Sequence, residues 1–296
     1  MRILVTGARG FIGSYLVPGL KAAGHDVLGI DRENGDLAGR DDIVGWWLDT
    51  ERPDIVVHLA ARTSRLISED DPAETVRCNA VATTNVARAC GERGIRLVYA
   101  STSEVYGHGL EHHKEDDLTE PTGIYGLSKL WGEHACRLYV SEDKLLVLRL
   151  SMPYGPGHAP AGFARPGRGW AATTKFLYAA YHGLPVEVHP GAERSWCWVG
   201  DTVDAVRALL EAGQRGTWNI GRDDDPRTMR SVAEMACTLM GAPLSLVREE
   251  SPPFGQVVVK RLDMTKLLST GWRPKVPFSE GMRRTAEWVR TLPSPH

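Results

Sequence analysis

Tyr125 and Lys129 stand four residues apart, a spacing that puts both side chains on one face of a helix. A tyrosine ionises near pH 10 and is a poor base at neutral pH, but a neighbouring ammonium favours its phenolate. Such a pair can exchange a proton with a hydroxyl, although taken alone it reads better as a surface pair on an amphipathic helix. A second pattern lies upstream, where Gly7-Ala8-Arg9-Gly10-Phe11-Ile12-Gly13 follows an apolar run at 3–6. Glycines at this spacing permit a tight turn and close backbone approach. A helix opening near Phe11 and Ile12 aims its first amides at a diphosphate. A strand before such a loop and a helix after it raise a weak motif to a dinucleotide site. Asp31 ends the next apolar run, about twenty residues on, where a carboxylate accepts hydrogen bonds from an adenosine ribose. Its charge repels a 2′-phosphate, so NAD is expected over NADP, while the adjacent Arg32 pulls the other way.

These residues need a framework. Apolar runs of strand length, rich in Val, Ile and Leu, lie at 3–6, 26–30, 54–59, 96–100 and 145–150. They show little alternation, as expected of strands buried on both faces. Helical patterns lie between them at 11–23, 41–50, 72–93 and 124–140, and Pro18 is expected to kink the first. Strand–helix–strand alternation with short links predicts an α/β fold with a doubly wound parallel sheet of Rossmann type. The pattern changes after residue 150: a Pro/Gly-rich stretch with two arginines at 155–170 reads as a surface connection or a lid. A helix is expected at 171–182, strands at 186–189 and 195–199, and a helix at 202–212. Residues 1–152 are expected to form the NAD-binding domain. Residues 153–296 would be mainly a smaller substrate lobe, with about 195–222 returning to the core sheet.

Length and composition bound the function. A chain of 296 residues is large enough for such a core plus a lobe. Lys and Arg number 35 against 37 Asp and Glu, a net charge of −2. That balance argues against a nucleic-acid or membrane-surface binder and leaves room for local basic pockets. Cys78, Cys90, Cys136, Cys197 and Cys237 are widely spaced and odd in number, which predicts free thiols in the cytoplasm rather than disulfides or a zinc cluster. The first apolar run is too short for a signal peptide, and no stretch approaches the ~18 apolar residues of a membrane span. His112 and His113, followed by Lys114, Glu115, Asp116 and Asp117, read as a solvated loop, and no metal site is expected there.

Further segments recur in a telling order. They are Asp36-Leu37, Val57-His58-Leu59-Ala60-Ala61, Asn79, Ser101-Thr102-Ser103-Glu104-Val105-Tyr106-Gly107 and Tyr125-Gly126-Leu127-Ser128-Lys129. Later come Pro153-Tyr154-Gly155-Pro156-Gly157, Arg194 before Ser195-Trp196-Cys197-Trp198-Val199-Gly200-Asp201, Trp218-Asn219-Ile220-Gly221, and Gly271-Trp272-Arg273-Pro274. With the glycine loop they resemble, nearly end to end, the extended short-chain dehydrogenase/reductase family, specifically its NAD-dependent sugar-nucleotide epimerases and dehydratases. The resemblance implies NAD held by Gly7, Gly10, Phe11, Ile12, Gly13, Asp31, Arg32, Asp36, Leu37, Leu59, Ala60, Ala61, Thr63, Asn79, Tyr125 and Lys129. It implies that Thr102 shares the substrate proton with Tyr125 and Lys129. Ser103, Glu104, Arg194 and Arg261 would meet a nucleotide-diphosphate sugar, the two arginines at its diphosphate. It also implies a homodimer built from the helices at 72–93 and 124–140.

The resemblance leaves the reaction open. C4 epimerisation of a UDP- or dTDP-hexose leads. A 4,6-dehydratase, with Glu104 as catalytic base, and a 4-ketosugar reductase stand as alternatives. A non-catalytic dinucleotide sensor is disfavoured by the intact Thr102, Tyr125 and Lys129. Two departures from the family pattern stand out. Met152 occupies a position where the family often has an Asn that bonds the substrate phosphate. Only four residues separate Asp31 from Asp36, where the family usually inserts a helix and a strand.

Overall fold

The computed structural model describes residues 1–39, 42–107, 112–157, 169–250 and 259–294. Six strands form the main sheet: β1 (Arg2–Thr6), β2 (Asp26–Ile30), β3 (Ile55–His58), β4 (Arg96–Thr102), β5 (Leu145–Leu150) and β10 (Gly216–Ile220). Their order is β10-β5-β4-β3-β1-β2 and every pairing is parallel. The doubly wound sheet read from the alternating elements is therefore present. Shorter strands are β6 (Pro153–Tyr154), β7 (Val186–Val188), β8 (Glu193–Arg194), β9 (Cys197–Trp198), β11 (Arg227–Thr228), β12 (Val247–Glu249) and β13 (Val259–Lys260). The helices are α1 (Phe11–Ala22), α2 (Ile43–Glu51), α3 (Arg65–Asp70), α4 (Pro72–Val76), α5 (Ala82–Glu92), α6 (Ile124–Tyr139), α7 (Ala172–Tyr181), α8 (Val199–Glu211), α9 (Met229–Met240), α10 (Thr265–Ser269) and α11 (Phe278–Val289).

Two compact units result, one of Met1–Gly107, Glu115–Leu150 and Val203–Ile220, the other of His108–Lys114, Ser151–Thr202 and Gly221–His296. In the first, Leu4, Val56, Leu97 and Val147 of the sheet pack against Val86 and Cys90 of α5, Cys136 of α6 and Val140 just after it. In the second, α7, α9 and α11 pack together and β8 lies between β11 and β13.

Several sequence expectations shift. α1 runs on through Pro18, unbroken from Phe11 to Ala22. The helix expected at 41–50 starts at Ile43, where the Asp42 carboxylate caps it by accepting from the Gly45 amide, and residue 41 lies outside the described residues. The helix expected at 72–93 is interrupted by a π-turn at Arg77–Val81. The strand expected at 195–199 shrinks to β9, because Val199 already opens α8, with Asp201 in the first turn complementing the helix dipole. Most of the lid candidate, 158–168, lies outside the described residues.

The shortened connection after Asp31 takes a definite form. A single 3₁₀ turn (Arg32–Asn34) and α2 carry the chain from β2 to β3, which pairs on the other side of β1. β2 is thus the edge of the sheet. It is only five residues long and begins with exposed Asp26, paired with Arg2 at 3.3 Å, features that blunt an edge against unwanted pairing.

Two charges sit where apolar residues are expected. Arg149 stands within the apolar run of β5 and Glu133 on the inner face of α6, both buried. Arg149 donates to Glu133 through Nε at 2.9 Å and Nη2 at 2.8 Å, a bidentate pair. Ser101 of β4 donates to the same carboxylate at 2.6 Å and Arg137 at 3.0 Å. Burial alone would raise the Glu133 pKa, but Arg149, Ser101 and Arg137 outweigh it and hold the carboxyl below its ordinary value. His58, at the end of β3, is buried between the hydroxyls of Thr6 (2.7 Å) and Thr83 (3.1 Å). Burial, with Lys129 nearby, pushes its pKa down to about 3.

Removing one partner of the ion pair leaves a buried charge uncompensated, so Arg149→Met is expected to cost about 3–5 kcal/mol in urea unfolding, and adding Glu133→Leu to recover most of it. Both folded-state pKa shifts are downward, so both contributions fade towards acid. The unfolded chain takes up a proton at His58 below about pH 6.5 and at Glu133 below about 4.5. The urea midpoint is therefore expected to fall in two steps below pH 6.5, and His58→Asn to remove the upper one.

Candidate active site

The C-terminal ends of β1 to β4 lie along one edge of the parallel sheet, the edge at which such folds bind ligands. There β1 turns at Gly7, whose φ of +69° suits glycine, into α1. A Cβ at Gly13 would stand 2.3 Å from the Gly7 carbonyl, so the turn closes only on glycine. No side chain caps α1 at Gly10, which leaves the amide end of this twelve-residue helix to an anion. Asp31 follows β2 and accepts from the Arg9 amide at 3.0 Å and the Arg32 amide at 2.9 Å, which fixes its carboxylate at the rim of the loop. Arg9 pairs with Glu33, so its charge is already answered. Arg32 is exposed. Asp36, also exposed, pairs with Arg77, while Leu37 packs on the core and its carbonyl takes Asn85 Nδ2 at 2.9 Å. After β3, Leu59, Ala60 and Ala61 are half-buried and Thr63 exposed. The Ala60 amide donates to Thr6 Oγ1 at 3.2 Å. A helix end and a placed carboxylate, groups that could hold a diphosphate and an adenosine ribose, thus lie at this edge.

Thr102 ends β4, and its hydroxyl accepts from the Glu104 amide at 3.3 Å, which caps the turn Ser103–Val105. Tyr125 and Lys129 share a face of α6, and the Tyr125 hydroxyl is hydrogen-bonded to Thr102. α6 comes this close because residue 126 is glycine; a Cβ there would lie 2.7 Å from the Glu104 carbonyl. The electrostatics differ from the sequence expectation. Burial raises Tyr125 to about 12, and the Thr102 hydrogen bond lowers it only in part. Lys129 is buried, which lowers it to about 8, and its ammonium lies over the Tyr99 ring. The phenolate thus gets no net stabilisation from the protein alone, because burial penalises both charged forms.

Asn79, expected at the cofactor, has its amide engaged by protein groups. Its Oδ1 accepts from the Arg62 amide at 2.7 Å, and its Nδ2 donates to the Arg62 carbonyl and to Ser128 Oγ, both at 3.0 Å. It ties the segment after β3 to the turn of α6 between Tyr125 and Lys129, from within the π-turn. Ser103 is buried and Glu104 half-buried beside Thr102. Sequence reading passed over Glu133, Arg149 and Tyr99. Glu133 was findable, since it lies one helical turn past Lys129 and two past Tyr125, and Arg149 is a lone charge in an apolar strand.

In the second unit, β8 carries Arg194, which is buried, and pairs with β13, which leads into Arg261. Arg261 binds Glu193 through Nε at 2.6 Å. Met152 has φ +32°, a left-handed backbone that suits Asn better than Met, and its carbonyl takes the Cys197 amide at 3.2 Å. The loop at 112–117 is not uniformly solvated. His113 is buried and hydrogen-bonds through its backbone to Arg261 and Asp263, at 3.1 and 2.8 Å. In the first unit, Glu115 accepts from the Asn219 amide at 2.9 Å. Paired backbone outweighs the local charge pattern here.

The sequence model of the NAD dependent epimerase/dehydratase family matches residues 3–221. The chain belongs to that family. It is similar to UDP-glucose 4-epimerase of Mycolicibacterium smegmatis, 32% identical over 98% of this chain and 99% of that protein. It is also similar to dTDP-D-glucose 4,6-dehydratase of Mus musculus, 27% identical over 98% of this chain and 88% of that protein. The crystal structure of Thermus thermophilus UDP-glucose 4-epimerase complexed with NAD superposes with a TM-score of 0.86 at 30% identity, covering 98% of this chain and 99% of that one. The family resemblance read from the motifs is thereby established, and the protein is an enzyme of this family.

The low pKa of Lys129 implies that its ammonium is costly to bury. Lys129→Met is expected to stabilise the cofactor-free protein at pH 7 by about 1–3 kcal/mol, read from the urea midpoint, while removing turnover.

Proposed function

We propose that this protein is an NAD-dependent epimerase of a nucleotide-activated hexose, acting at C4. The observation that carries this reading is the Tyr125 hydroxyl hydrogen-bonded to Thr102, with Lys129 one turn on, at the sheet edge that bears the glycine loop. NAD fits that loop: Gly7, Gly10 and Gly13 with Phe11 and Ile12 hold the diphosphate at the α1 end, and Asp31 holds the ribose. When bound and oxidised, it supplies a hydride acceptor and a positive charge that favours the Tyr125 phenolate. Tyr125 takes the proton of the sugar C4 hydroxyl, Thr102 orients that hydroxyl, and Lys129 stabilises the anionic tyrosine. The 4-keto sugar turns over in the site, Tyr125 returns the proton to its C4 oxygen, and the hydride held by the reduced cofactor would return to the opposite face of C4. Arg194 and Arg261 answer the substrate diphosphate, for which guanidinium forks are suited. Residues 153–296 are proposed to supply most of the substrate contacts.

A 4,6-dehydratase is the second reading, favoured by Glu104 on the same capped turn as Thr102. Purified protein mixed with UDP- and dTDP-hexoses, without added cofactor, is expected to form the C4 epimer by NMR. A 4-keto-6-deoxy product overturns epimerisation in favour of dehydration, and turnover only with added NADH or NADPH marks a reductase. Tyr125→Phe is expected to lower kcat about a thousandfold with NAD still bound, and Glu104→Gln to leave epimerisation within about tenfold.

A homodimer is part of the proposal. Leu127, Trp131 and Leu138 on α6, with Val76 and Val81 on α4 and the π-turn, expose large apolar surface, as a helical dimer face requires. The cytoplasm is the proposed location, since all five cysteines are free thiols. Among the described residues no helix is long and apolar enough to cross a membrane.

A further inference from the structure

We propose that Tyr99 is a positioning residue for Lys129, gripping its backbone with the phenol hydroxyl and its ammonium with the aromatic ring. Tyr99 lies in β4, three residues before Thr102, and is wholly buried. Its Oη donates to the Lys129 carbonyl at 3.2 Å, and Lys129 Nζ stands 4.4 Å from the ring centroid. One side chain thus holds both ends of the lysine. An ammonium over an aromatic face is attracted by the ring quadrupole, most strongly where water is excluded. α6 can descend onto the phenol because residue 132 is glycine: a Cβ there would stand 2.2 Å from Tyr99 Oη.

The ring is itself fixed. His58 stacks on it at 5.9 Å with 22° between planes, and Thr83 hydrogen-bonds its hydroxyl. His58 is held by Thr6 and Thr83, and Thr6 also receives the Ala60 amide. A buried chain of contacts therefore runs from the turn after β3 to Lys129. The titratable groups around Lys129 are Tyr125, Glu133 and Cys136 on its own helix, Tyr99 on β4 and His58 on β3. Glu133 is the one charged at neutral pH, and it is bound to Arg149. Among the described residues the Tyr99 ring is the contact recorded for the ammonium, at 4.4 Å.

The inference rests on Lys129 acting in proton transfer, so the test separates the two ideas. Tyr99→Phe is compared with the same position carrying trifluorophenylalanine, which keeps the shape and weakens the quadrupole, and with Tyr99→Met. The Lys129 ammonium is followed in cofactor-free protein by lysine ¹³Cε NMR, its signal assigned by loss in Lys129→Met. Tyr99→Phe, which drops the hydroxyl grip and keeps the ring, is expected to lower kcat about threefold. The fluorinated ring should lower the Lys129 pKa by about half to one unit and kcat about tenfold, with KM for the sugar nucleotide little changed. An unchanged Lys129 titration in the fluorinated protein overturns the proposal, whatever happens to turnover. If Tyr99→Met fails to fold, the isosteric pair decides alone. If Lys129→Met turns over normally, the catalytic reading of Lys129 falls, and the NMR titration still decides whether Tyr99 grips it.

Discussion

The buried pair of Glu133 and Arg149 is the constraint on which the site depends. Arg149 belongs to β5, Ser101 to β4 and Glu133 to α6, so one carboxylate binds three elements at a single point. Ser101 adjoins Thr102, and Glu133 lies one turn beyond Lys129. A shift of α6 along the sheet would break a bidentate, desolvated ion pair, which is far costlier than sliding apolar surfaces past one another. The pair converts an interface that tolerates sliding into one with a fixed register, and the register sets the Tyr125–Thr102 hydrogen bond. Arg149 is anchored in turn by the Glu115 carbonyl at 3.0 Å and by the Tyr106 ring, and Tyr106 donates to Asn219 of β10 at 2.7 Å.

Close approach is the second constraint. The turn at Gly7 and Gly13 brings backbone within reach of a diphosphate, and Gly126 brings α6 against the turn after β4. In both places backbone stands where a side chain would clash. Asn79 extends the same principle by hydrogen bonding: from a π-turn that re-aims it, it clamps the segment after β3 to α6. Among the described residues of the first unit, these groups are held by regular elements and short links.

The electrostatics point to an enzyme incomplete without its cofactor. Burial keeps Tyr125 protonated and strains the charge of Lys129, so the protein alone does not form the phenolate. The relatives of this chain include an epimerase and a dehydratase of nucleotide sugars. Family membership fixes the scaffold and leaves the choice of reaction open.

How much was legible in the sequence depended on the range of the interaction. The parallel sheet followed from apolar runs and helical periods, because burial on both faces writes itself into local composition. The glycine loop, Asp31 and the Tyr125–Lys129 spacing are local patterns with a local cause, and with the other motifs they pointed to the family. Even the missing crossover was visible as four residues between Asp31 and Asp36. What the sequence could not reveal was pairing at long range. That Arg149 meets Glu133, that Tyr99 lies under Lys129, and that Asn79 turns to Arg62 and Ser128 depend on how helices dock on the sheet. The sign of the Tyr125 shift was likewise beyond it, because a neighbouring lysine promises a low pKa while burial, a property of the assembled fold, raises it. Spacing along a chain places charges; only tertiary packing removes the water that sets their energies.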